Sequence, residues 1–532
     1  MISNIIKYIL FLNLVLAYND LEFNLNFNYQ TFESQIDNIQ SDLNGNGIYE
    51  MINDYNSLED KIWLRTNAGL SFITFLNNGL PQYNSITSQN LPEGGIPSFI
   101  IKENLIAISG AKSIYQNNRY RPMGTGISWS NDNGNTWNYI NQPLDNNESP
   151  YTFTNWGNQD SIRFKSITTS IYNVTYDLEE YNGYIYATSF AGGLRRFNHT
   201  NIYSEWELIP LPLDNQSSLI CGDIDTETYQ YNPVDPPDGN DNHKAFSILI
   251  DENIIWVGTG DGINKGIIND DNNCINWTHY NESYGGMGDE WVITIRNQIL
   301  DNNLNRLWAV SWDPSLNTPI PHKLTFTEDN GLSWQFTSFF EDIGAIVYDL
   351  NFDGEIIFAS TNKGLFKNDG SNFELWIPYY IEDTNQSILT DIIFSSNLNE
   401  IYSYKYLWAG SPDGLFYSND DGYNWTMYRT WNKKNELNII LSAYPNPFYI
   451  NESLERVRFA FDYDNNSNPE LDIYNFSMKH IINLNNVEKI GESGQFIWDG
   501  RNKLNNEVSN GVYYCRLNLN GKFYWTKLMV IK

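Results

Sequence analysis

The chain consists largely of short apolar runs separated by turn residues, and the runs recur in groups of four. In a complete group, an apolar run is followed by a second that ends in a small residue, a third that begins near glycine, and a fourth that opens with an aromatic residue. Runs of this length between Gly, Asn, Asp and Pro predict β-strands and hairpins. The second strand is predicted in seven groups, at residues 62–64, 105–109, 184–188, 254–258, 306–310, 356–360 and 406–410.

The first and third strands of the groups can be placed with the same period. First strands are predicted at residues 97–101, 171–177, 245–250, 291–295, 345–350 and 390–394, and third strands at 126–130, 193–197, 323–327 and 364–368. The first strand of the first group must come from residues 21–55, which could also close a ring. Seven groups of four strands predict an all-β chain in which residues 18–430 form a seven-bladed β-propeller with four-stranded blades.

One octet recurs where the third strand turns into the fourth. It reads SNDNGNTW at residues 130–137, TEDNGLSW at 327–334 and SNDDGYNW at 418–425. Each copy puts a carboxylate in a tight turn, a Gly where positive φ is expected, and a Trp where the chain returns. The octet resembles the Asp-box, or bacterial neuraminidase repeat, of sialidase-like and sortilin-like propellers. The resemblance implies a structural role, on the face away from any active site, for Asp132, Gly134, Trp137, Asp329, Gly331, Trp334, Asp420, Gly422 and Trp425.

Long insertions interrupt the groups at residues 111–125, 145–165, 214–243 and 312–322. In a propeller, the second-to-third-strand connections and the links between blades open on one face, and each insertion maps to such a connection. Long loops on a rigid scaffold commonly carry binding, and aromatic rings suit sugars or protein partners. The alternative is that these loops pack on themselves. The candidate ligand-face residues are Tyr115, Arg119, Tyr120, Arg121, Trp156, Arg163, Tyr229, Tyr231 and Trp312.

A different unit follows a polar linker at residues 431–443. It contains YPNPF at 444–448, IY at 473–474, WDGR at 498–501, NGVYY at 510–514 and a last strand that ends in Lys532. In this order the motifs resemble the type A sorting domain of the type IX secretion system. The resemblance covers residues 444–532 and implies an immunoglobulin-like β-sandwich that the outer-membrane secretion machinery recognises. Residues 475–478 depart from the Gly-containing turn usual in that family.

The amino terminus predicts export. Residues 1–17 combine Lys7, an apolar run at 8–16 and a small-residue cleavage site, which is typical of a signal peptide. The run is too short to span a bilayer. Both ends of the chain therefore predict a protein that passes through the periplasm and outer membrane and is secreted or held at the cell surface, with no transmembrane segment in the mature chain.

Charge and cysteine content narrow the possible partners. The chain carries 64 acidic and 32 basic residues, a formal net charge of −32, which argues against nucleic-acid binding. Its three cysteines, Cys221, Cys274 and Cys515, form neither a disulfide scaffold nor a zinc motif. A bridge between Cys221 and Cys274 remains open at this point.

A possible calcium loop precedes the first predicted blade. Asp42, Asn44, Asn46 and Glu50 supply oxygen ligands at positions one, three, five and nine, with Gly47 at position six. This spacing resembles the start of an EF-hand or dockerin loop, although position twelve is Asn53 instead of Glu. An Asn-Gly turn is the alternative, and no other cofactor is predicted.

No catalytic residue can be assigned from the sequence. Tyr120-Arg121-Pro122 lacks the Ile of the sialidase Phe-Arg-Ile-Pro segment, and seven groups do not fit the six-bladed sialidase scaffold. A polysaccharide hydrolase needs two converging carboxylates. Candidates for these are Asp261, Asp289, Glu290 and Asp313. The sequence favours a propeller that binds a glycan or a protein, with a polysaccharide hydrolase and a purely structural surface protein as alternatives.

Overall fold

The computed structural model describes residues 39–532 except residues 42, 55–59, 77, 89, 117–118, 146–148, 158, 202, 270–273, 288–290, 301–303, 313–322, 371, 377–379, 382–385, 388, 402–403, 430–439, 451–455, 463–467 and 491–492. The predicted signal peptide, Asp42 and most of the predicted linker lie outside the described residues. The all-β prediction is confirmed. Across the described ranges, helical structure is limited to a 3₁₀ turn at Asp241–His243 and the short helix α1 at Phe339–Ile343.

Within the described residues, seven sheets each contain four consecutive strands in an antiparallel meander. Sheet 1 contains β1 (Ile39–Ser41), β2 (Ile48–Asp54), β3 (Lys61–Thr66), β4 (Gly69–Phe75) and β5 (Pro81–Ile86). Sheet 2 contains β6 (Phe99–Lys102), β7 (Leu105–Gln116), β8 (Arg119–Ser130) and β9 (Asn138–Ile140), and it is followed by a separate hairpin of β10 (Tyr151–Trp156) and β11 (Gln159–Lys165). Sheet 3 contains β12 (Thr175–Tyr181), β13 (Tyr184–Ser189), β14 (Gly193–Asn198) and β15 (Glu207–Leu208). The extra strand β1 pairs with β5 at the outer edge of sheet 1.

Sheet 4 contains β16 (Ser218–Leu219), β17 (Ala245–Asp251), β18 (Ile254–Thr259), β19 (Gly262–Asn269) and β20 (Cys274–Tyr280). Sheet 5 contains β21 (Trp291–Ile299), β22 (Asn305–Trp312), β23 (Leu324–Thr327) and β24 (Gln335–Thr337). Sheet 6 contains β25 (Val347–Asp353), β26 (Ile356–Thr361), β27 (Gly364–Asn368) and β28 (Phe373–Leu375), and it is followed by a separate pair of strands, β29 (Tyr380–Ile381) and β30 (Gln386–Ser387). Sheet 7 contains β31 (Ser395–Ile401), β32 (Tyr404–Ser411), β33 (Gly414–Ser418) and β34 (Thr426–Tyr428). Each predicted second strand lies within an observed strand.

The first strands of the sheets pack against one another around a ring. Hydroxyl groups join neighbouring sheets: Ser247 Oγ donates to the carbonyl of Val292 at 3.2 Å, which links sheet 4 to sheet 5. The last sheet joins the first, because Asn397 Nδ2 donates to the carbonyl of Met51 at 3.1 Å and Asn53 Nδ2 donates to that of Leu398 at 2.7 Å. The ring of sheets is therefore closed, which is the arrangement of a β-propeller.

Both surfaces of a typical sheet are buried, which explains why its strands read as nearly continuous apolar runs. In β32, Leu407 and Ala409 pack against sheet 6, whereas Trp408 between them is 0% exposed and packs against sheet 1. A strand covered on both sides shows no alternation of apolar and polar residues. The second strands, which lie in the middle of their sheets, were for this reason the easiest to recognise.

The predicted first strand at residues 390–394 is wrong. This segment leads into sheet 7, whose first strand is β31, with the more polar sequence SSNLNEI. β31 lines the axis of the ring, and its polar residues hide it from a search for apolar runs.

The three octets form the same hydrogen-bonded turn. In the first copy, Asp132 Oδ1 accepts from the backbone N–H of Thr136 at 2.8 Å and from Ser130 Oγ at 2.7 Å. Gly134 has a φ of 86°, which favours glycine. In the second copy, the hydroxyl of Ser333 lowers the pKa of Asp329 to about 2. These carboxylates remain ionised and are engaged by their own turns.

The meanders give the ring two distinct faces. First-to-second and third-to-fourth strand turns, such as residues 182–183 and the octets, lie on what we call the short-turn face. Second-to-third strand turns, such as residues 260–261 and 412–413, and the links between sheets lie on the opposite side, the long-connection face. The described parts of the predicted insertions at residues 111–125, 145–165 and 214–243 belong to the long-connection face.

Residues 441–532 form a second unit of two sheets around one core. The first sheet has the order β35 (Leu441–Tyr444), β37 (Val457–Asp462), β41 (Ser493–Trp498) and β40 (Glu488–Ile490). The second has the order β36 (Phe448–Tyr449), β43 (Lys522–Ile531), β42 (Gly511–Leu519), β38 (Glu470–Tyr474) and β39 (His480–Leu484). Phe448, Phe459 and Trp498 are among the buried core residues. Burial also raises the pKa of the Cys515 thiol.

Candidate functional site

A repeated β-bulge builds the axis of the ring. In five sheets of the described chain, the pairing of the first strand with the second shifts at the same place, next to Tyr49, Tyr176, Phe246, Ile293 and Tyr348. The residues that follow are Glu50, Asp177, Ser247, Thr294 and Asp349. Because the bulge occurs at the same place in each strand, three carboxylates from distant parts of the sequence occupy equivalent positions around the axis.

Aromatic rings form the layer next to these carboxylates. The ring of Phe394, which directly precedes β31, lies 5.1 Å from that of Tyr49 and 5.2 Å from that of Tyr348. Tyr176 and Phe246 contact each other with ring centroids 5.8 Å apart. The space left between the aromatic layer and the carboxylates is about 30 Å³, room for about one water molecule. The axis is therefore nearly filled on the side towards the long-connection face.

Two arginines neutralise part of the carboxylate layer. Arg296 Nε lies 2.9 Å from Asp349 Oδ1, and its Nη2 lies 3.6 Å from Glu50 Oε1. Arg65 Nε lies 3.3 Å from the other oxygen of Glu50. Asp177 Oδ2 accepts the backbone N–H of Ile248 at 3.0 Å. One guanidinium group thus joins carboxylates from sheets 1 and 6, which are not neighbours in the ring.

Burial raises the pKa values of the axial carboxyl groups despite the nearby guanidinium groups. The pKa is about 7 for Glu50, about 6 for Asp177 and about 8 for Glu179, and that of Asp349 is also raised. The cause in each case is loss of hydration, which penalises the charged form. Such groups can hold a proton near neutral pH, which distinguishes them from the octet carboxylates.

A larger cavity of about 600 Å³ extends from this layer to the short-turn face. Its lining includes Glu179, Asn297 and Asn351 along the first strands, and Asp353 and Gly354 at the turn between β25 and β26. This opening lies on the side opposite the insertions. The sequence interpretation placed the binding face at the insertions and did not anticipate an axial cavity on the other side.

We predict that stability depends on pH through these carboxyl groups. A carboxyl group whose pKa is higher in the folded than in the unfolded state makes its full contribution to the free energy of unfolding below about pH 4. That contribution is lost as the pH rises through about 6 to 8. One unit of pKa shift corresponds to about 1.4 kcal/mol. Urea unfolding should therefore give a higher free energy at pH 5 than at pH 8, by at least about 2 kcal/mol. The E50Q/E179Q variant should show a smaller difference, and an unchanged difference would contradict the assignment.

Two candidate ligand-face aromatics are exposed on the long-connection face. The insertion at residues 111–125 is an extension of the β7–β8 hairpin. Near its tip, Tyr115 and Tyr120 are 64% and 56% exposed, with ring centroids 5.1 Å apart. Arg121 on the same hairpin is half-buried, and Arg119 belongs to β8 although its side chain lies outside the described set.

The β10–β11 hairpin forms a second exposed surface. Phe153 is 61% exposed, and the guanidinium carbon of Arg163 lies 5.0 Å from the centre of the Tyr151 ring. Trp156 at the end of the same strand is only 3% exposed and packs in the core, with the Arg196 guanidinium 5.3 Å from its ring. Trp156 therefore cannot present its ring to a ligand, in contrast to the sequence prediction.

Tyr229 and Tyr231 are also core residues instead of ligand contacts. They are 1% and 3% exposed. Tyr229 Oη donates to the carbonyl of Leu211 at 2.7 Å, and Tyr231 stacks on the His243 ring at 4.0 Å. The insertion at residues 214–243 folds back on the ring and buries these aromatic rings. Trp312 ends β22 opposite Trp291, and its side chain is outside the described set.

A disulfide fastens this insertion. Cys221 and Cys274 are bonded, with their Cα atoms 6.1 Å apart. The bond joins the insertion to the start of β20. Gly157, in the β10–β11 turn, packs directly against it, since a Cβ atom there would lie 2.4 Å from Cys221 Sγ. The two insertions therefore pack against each other.

Three of the four predicted calcium ligands, Asn44, Asn46 and Glu50, lie within the described residues, whereas Asp42 does not. Asn44 Nδ2 donates to the carbonyl of Leu70 at 3.1 Å, and Asn46 is buried. Glu50 belongs to β2 and points to the axis, where it pairs with arginines. In the described ranges, no group of three or more His, Cys, Asp or Glu side chains is arranged to hold a metal ion.

Of the four predicted hydrolase carboxylates, only Asp261 lies within the described residues. Asp261 accepts a hydrogen bond from Asn281 Nδ2 at 3.0 Å in the β18–β19 turn, and the other three candidates lie outside the described residues. The axial carboxylates were missed, although a signal existed: Tyr49-Glu50, Tyr176-Asp177 and Tyr348-Asp349 repeat one dipeptide early in three first strands.

The closed ring of four-stranded sheets defines this chain as a β-propeller protein. No protein-family model matches it, and no curated protein is significantly similar to it in sequence. Among the helices of the described chain, none is long and apolar enough to cross a membrane.

Three solved structures are distantly similar to this chain. PorZ, a surface component of the type IX secretion system of Porphyromonas gingivalis, is 13% identical with a TM-score of 0.34, covering 89% of this chain and 64% of PorZ. An ancestral GH74 enzyme is 12% identical with a TM-score of 0.46, covering 93% of this chain and 64% of that enzyme. The GH74 xyloglucanase of Xanthomonas campestris is 11% identical with a TM-score of 0.45, covering 74% and 55%. Likeness at this level assigns neither a family nor a function.

Proposed function

We propose that the chain is an exported seven-bladed Asp-box propeller that binds an extracellular glycan or protein through its long-connection face. The observation that carries this proposal is the exposed pair Tyr115 and Tyr120 at the tip of an extended hairpin. Paired aromatic rings at the tip of a loop are favoured contacts for sugar rings and protein partners. Phe153 on the neighbouring insertion adds a third exposed ring.

Export rests on the two ends of the chain. Residues 1–17 read as a signal peptide, and the motifs between Tyr444 and Lys532 resemble a type A sorting domain. The two-sheet unit at residues 441–532 is compatible with an immunoglobulin-like sandwich. We infer secretion through the type IX system, followed by release or anchoring at the cell surface. The partner in export would be the outer-membrane secretion machinery.

A polysaccharide hydrolase is the second candidate, and the axial cavity is the observation that favours it. Glycoside hydrolysis needs one carboxyl group that stays protonated near neutral pH, and the raised pKa of Glu179 meets that requirement. Against it, Glu50 and Asp349 are held by guanidinium groups, and both oxygens of Asp177 accept backbone N–H groups of Ile248 and Leu178. Binding through the exposed aromatics is therefore the better-supported function.

The test is a glycan array with the purified chain, run beside reducing-sugar release on the same polysaccharides. We expect binding without release, and we expect Y115A/Y120A to weaken binding at least about 10-fold. Because both rings are exposed, the free energy of unfolding should change by less than about 0.5 kcal/mol.

Tyr203→Ala is the matched control, since Tyr203 is 85% exposed but lies in a third-to-fourth strand connection on the short-turn face. It should leave binding unchanged. Sugar release that is lost in E179Q would instead establish the hydrolase. A chain that neither binds glycans nor releases sugar would leave a protein partner, to be sought by affinity capture in which Y115A/Y120A loses the partner retained by Tyr203→Ala.

A further inference from the structure

A buried carboxylate lies at the junction between the propeller and the C-terminal unit. Asp413, in the β32–β33 turn on the long-connection face, is 0% exposed. Its Oδ2 accepts from the backbone N–H of Leu389 at 2.9 Å and from Arg429 Nη2 at 2.5 Å. Its Oδ1 accepts from Arg458 Nη2 at 2.5 Å. Leu389 and Arg429 belong to the propeller, whereas Arg458 comes from the other unit.

The environment of Arg458 shows that the propeller covers it. Its neighbours in β37, Val457 and Phe459, point into the core of the two-sheet unit, so Arg458 points out of that unit. It is nevertheless only 4% exposed, and Gln495 on the adjacent strand β41 is 2% exposed. Arg456, two residues earlier, has Nη2 3.8 Å from Asp391 Oδ1 of the propeller. Two arginines at strand spacing thus face two carboxylates.

We propose that Asp391 and Asp413 form a docking site for a pair of arginines two residues apart on an extended strand. In the full chain the occupant is the C-terminal unit itself, through Arg456 and Arg458. This inference rests on the export in the proposed function: if the C-terminal unit is removed during that export, the same site is uncovered on the long-connection face. It would then accept an Arg-x-Arg strand of a partner protein.

Two features indicate that the site formed by Asp391 and Asp413 keeps its ability to bind arginine after the C-terminal unit has been removed. The backbone N–H of Leu389 and the guanidinium group of Arg429 remain to hold the Asp413 side chain in place. Residues 444–532 contain ten basic and ten acidic residues, so the net charge of −32 resides entirely in the rest of the chain. A cationic strand is therefore attracted to the propeller, and guanidinium groups recognise carboxylates with specific geometry.

The test uses the full chain with a protease recognition sequence inserted after Lys434. After cleavage, the two parts should stay together on size-exclusion chromatography at about 0.15 M salt. The R456Q/R458Q variant should weaken their association about 100-fold, because it removes two guanidinium groups from carboxylates that stay buried or half-buried. Arg501→Gln is the control, since Arg501 is in the same unit but is 40% exposed and pairs with Glu507.

A peptide with the sequence of residues 455–460, ERVRFA, should displace the C-terminal unit from the cleaved chain, and EQVQFA should not. Asp413→Asn should abolish peptide binding. Immediate separation of the cleaved wild-type parts, or equal competition by the two peptides, would overturn the proposal. Neither measurement uses export or the exposed tyrosines, so a failure here is distinguishable from a failure of the proposed function.

Discussion

Replacing Arg296 with glutamine is expected to lower the free energy of unfolding by about 2 to 3 kcal/mol at pH 7. The guanidinium group lies 2.9 Å from Asp349 and 3.6 Å from Glu50, and both carboxyl groups are less than one fifth exposed. Without it, two poorly hydrated acids face each other across the axis, and Arg65 is the remaining guanidinium beside them among the described residues. The loss should be smaller at pH 5, where more of these groups are protonated, and larger at pH 8.

Urea unfolding at the three pH values measures this effect. Lys405→Gln serves as the control, because Lys405 pairs with Asp353 at the surface and its loss should cost less than about 1 kcal/mol. The R296Q/D349N double variant should recover part of the stability, since it removes a carboxylate that has lost its partner. If the decrease in the free energy of unfolding caused by R296Q does not vary with pH, Arg296 stabilises the fold through packing and not through its charge.

Removing the disulfide should have an effect of similar size. Cys221 and Cys274 are 53 residues apart, and closing a loop of that length in the unfolded chain stabilises a protein by about 2 to 4 kcal/mol. The C221A/C274A variant should unfold at lower urea concentration, and the insertion at residues 214–243 should become more accessible to proteases. If protease sensitivity increases only within this insertion, the disulfide stabilises the insertion and not the whole fold.

Reduction provides an internal control for the disulfide. Treating the wild type with a thiol reductant should reproduce the unfolding curve of the double variant, and the same reductant should not affect the variant. Cys515 is buried in the C-terminal unit, so its thiol should contribute to neither result. Identical wild-type curves with and without reductant would contradict a stabilising role for the bond.

The second strands show how far local pattern could be read. Each lies in the middle of a sheet that is buried on both surfaces, so its apolar character is a local property of three to five residues. The octet turns were similarly local, because Asp132 binds residues within four positions of itself. By contrast, residues 390–394 were mistaken for a first strand, since the true strand β31 is polar and lines the axis.

The insertions show where local pattern fails. Tyr115 and Tyr229 are both aromatic residues in long insertions, yet one is 64% exposed and the other 1%. The difference arises because the first insertion extends as a hairpin, whereas the second folds back and is bonded to β20 through Cys221. Whether an aromatic side chain binds a partner or fills a core depends on what covers it, and that covering comes from segments distant in sequence.

The sequence by itself determined the all-β character of the chain, the positions of most strands, the octet turns and the places where insertions interrupt the repeat. These follow from hydrophobic pattern and turn chemistry within a few residues. Only the tertiary structure decided which side chains meet: the acids of β2, β12 and β25 on one axis, the cavity opening opposite the insertions, and Arg458 against Asp413. Closing a ring brings together residues hundreds of positions apart, and no local sequence pattern indicates which of their side chains then become buried.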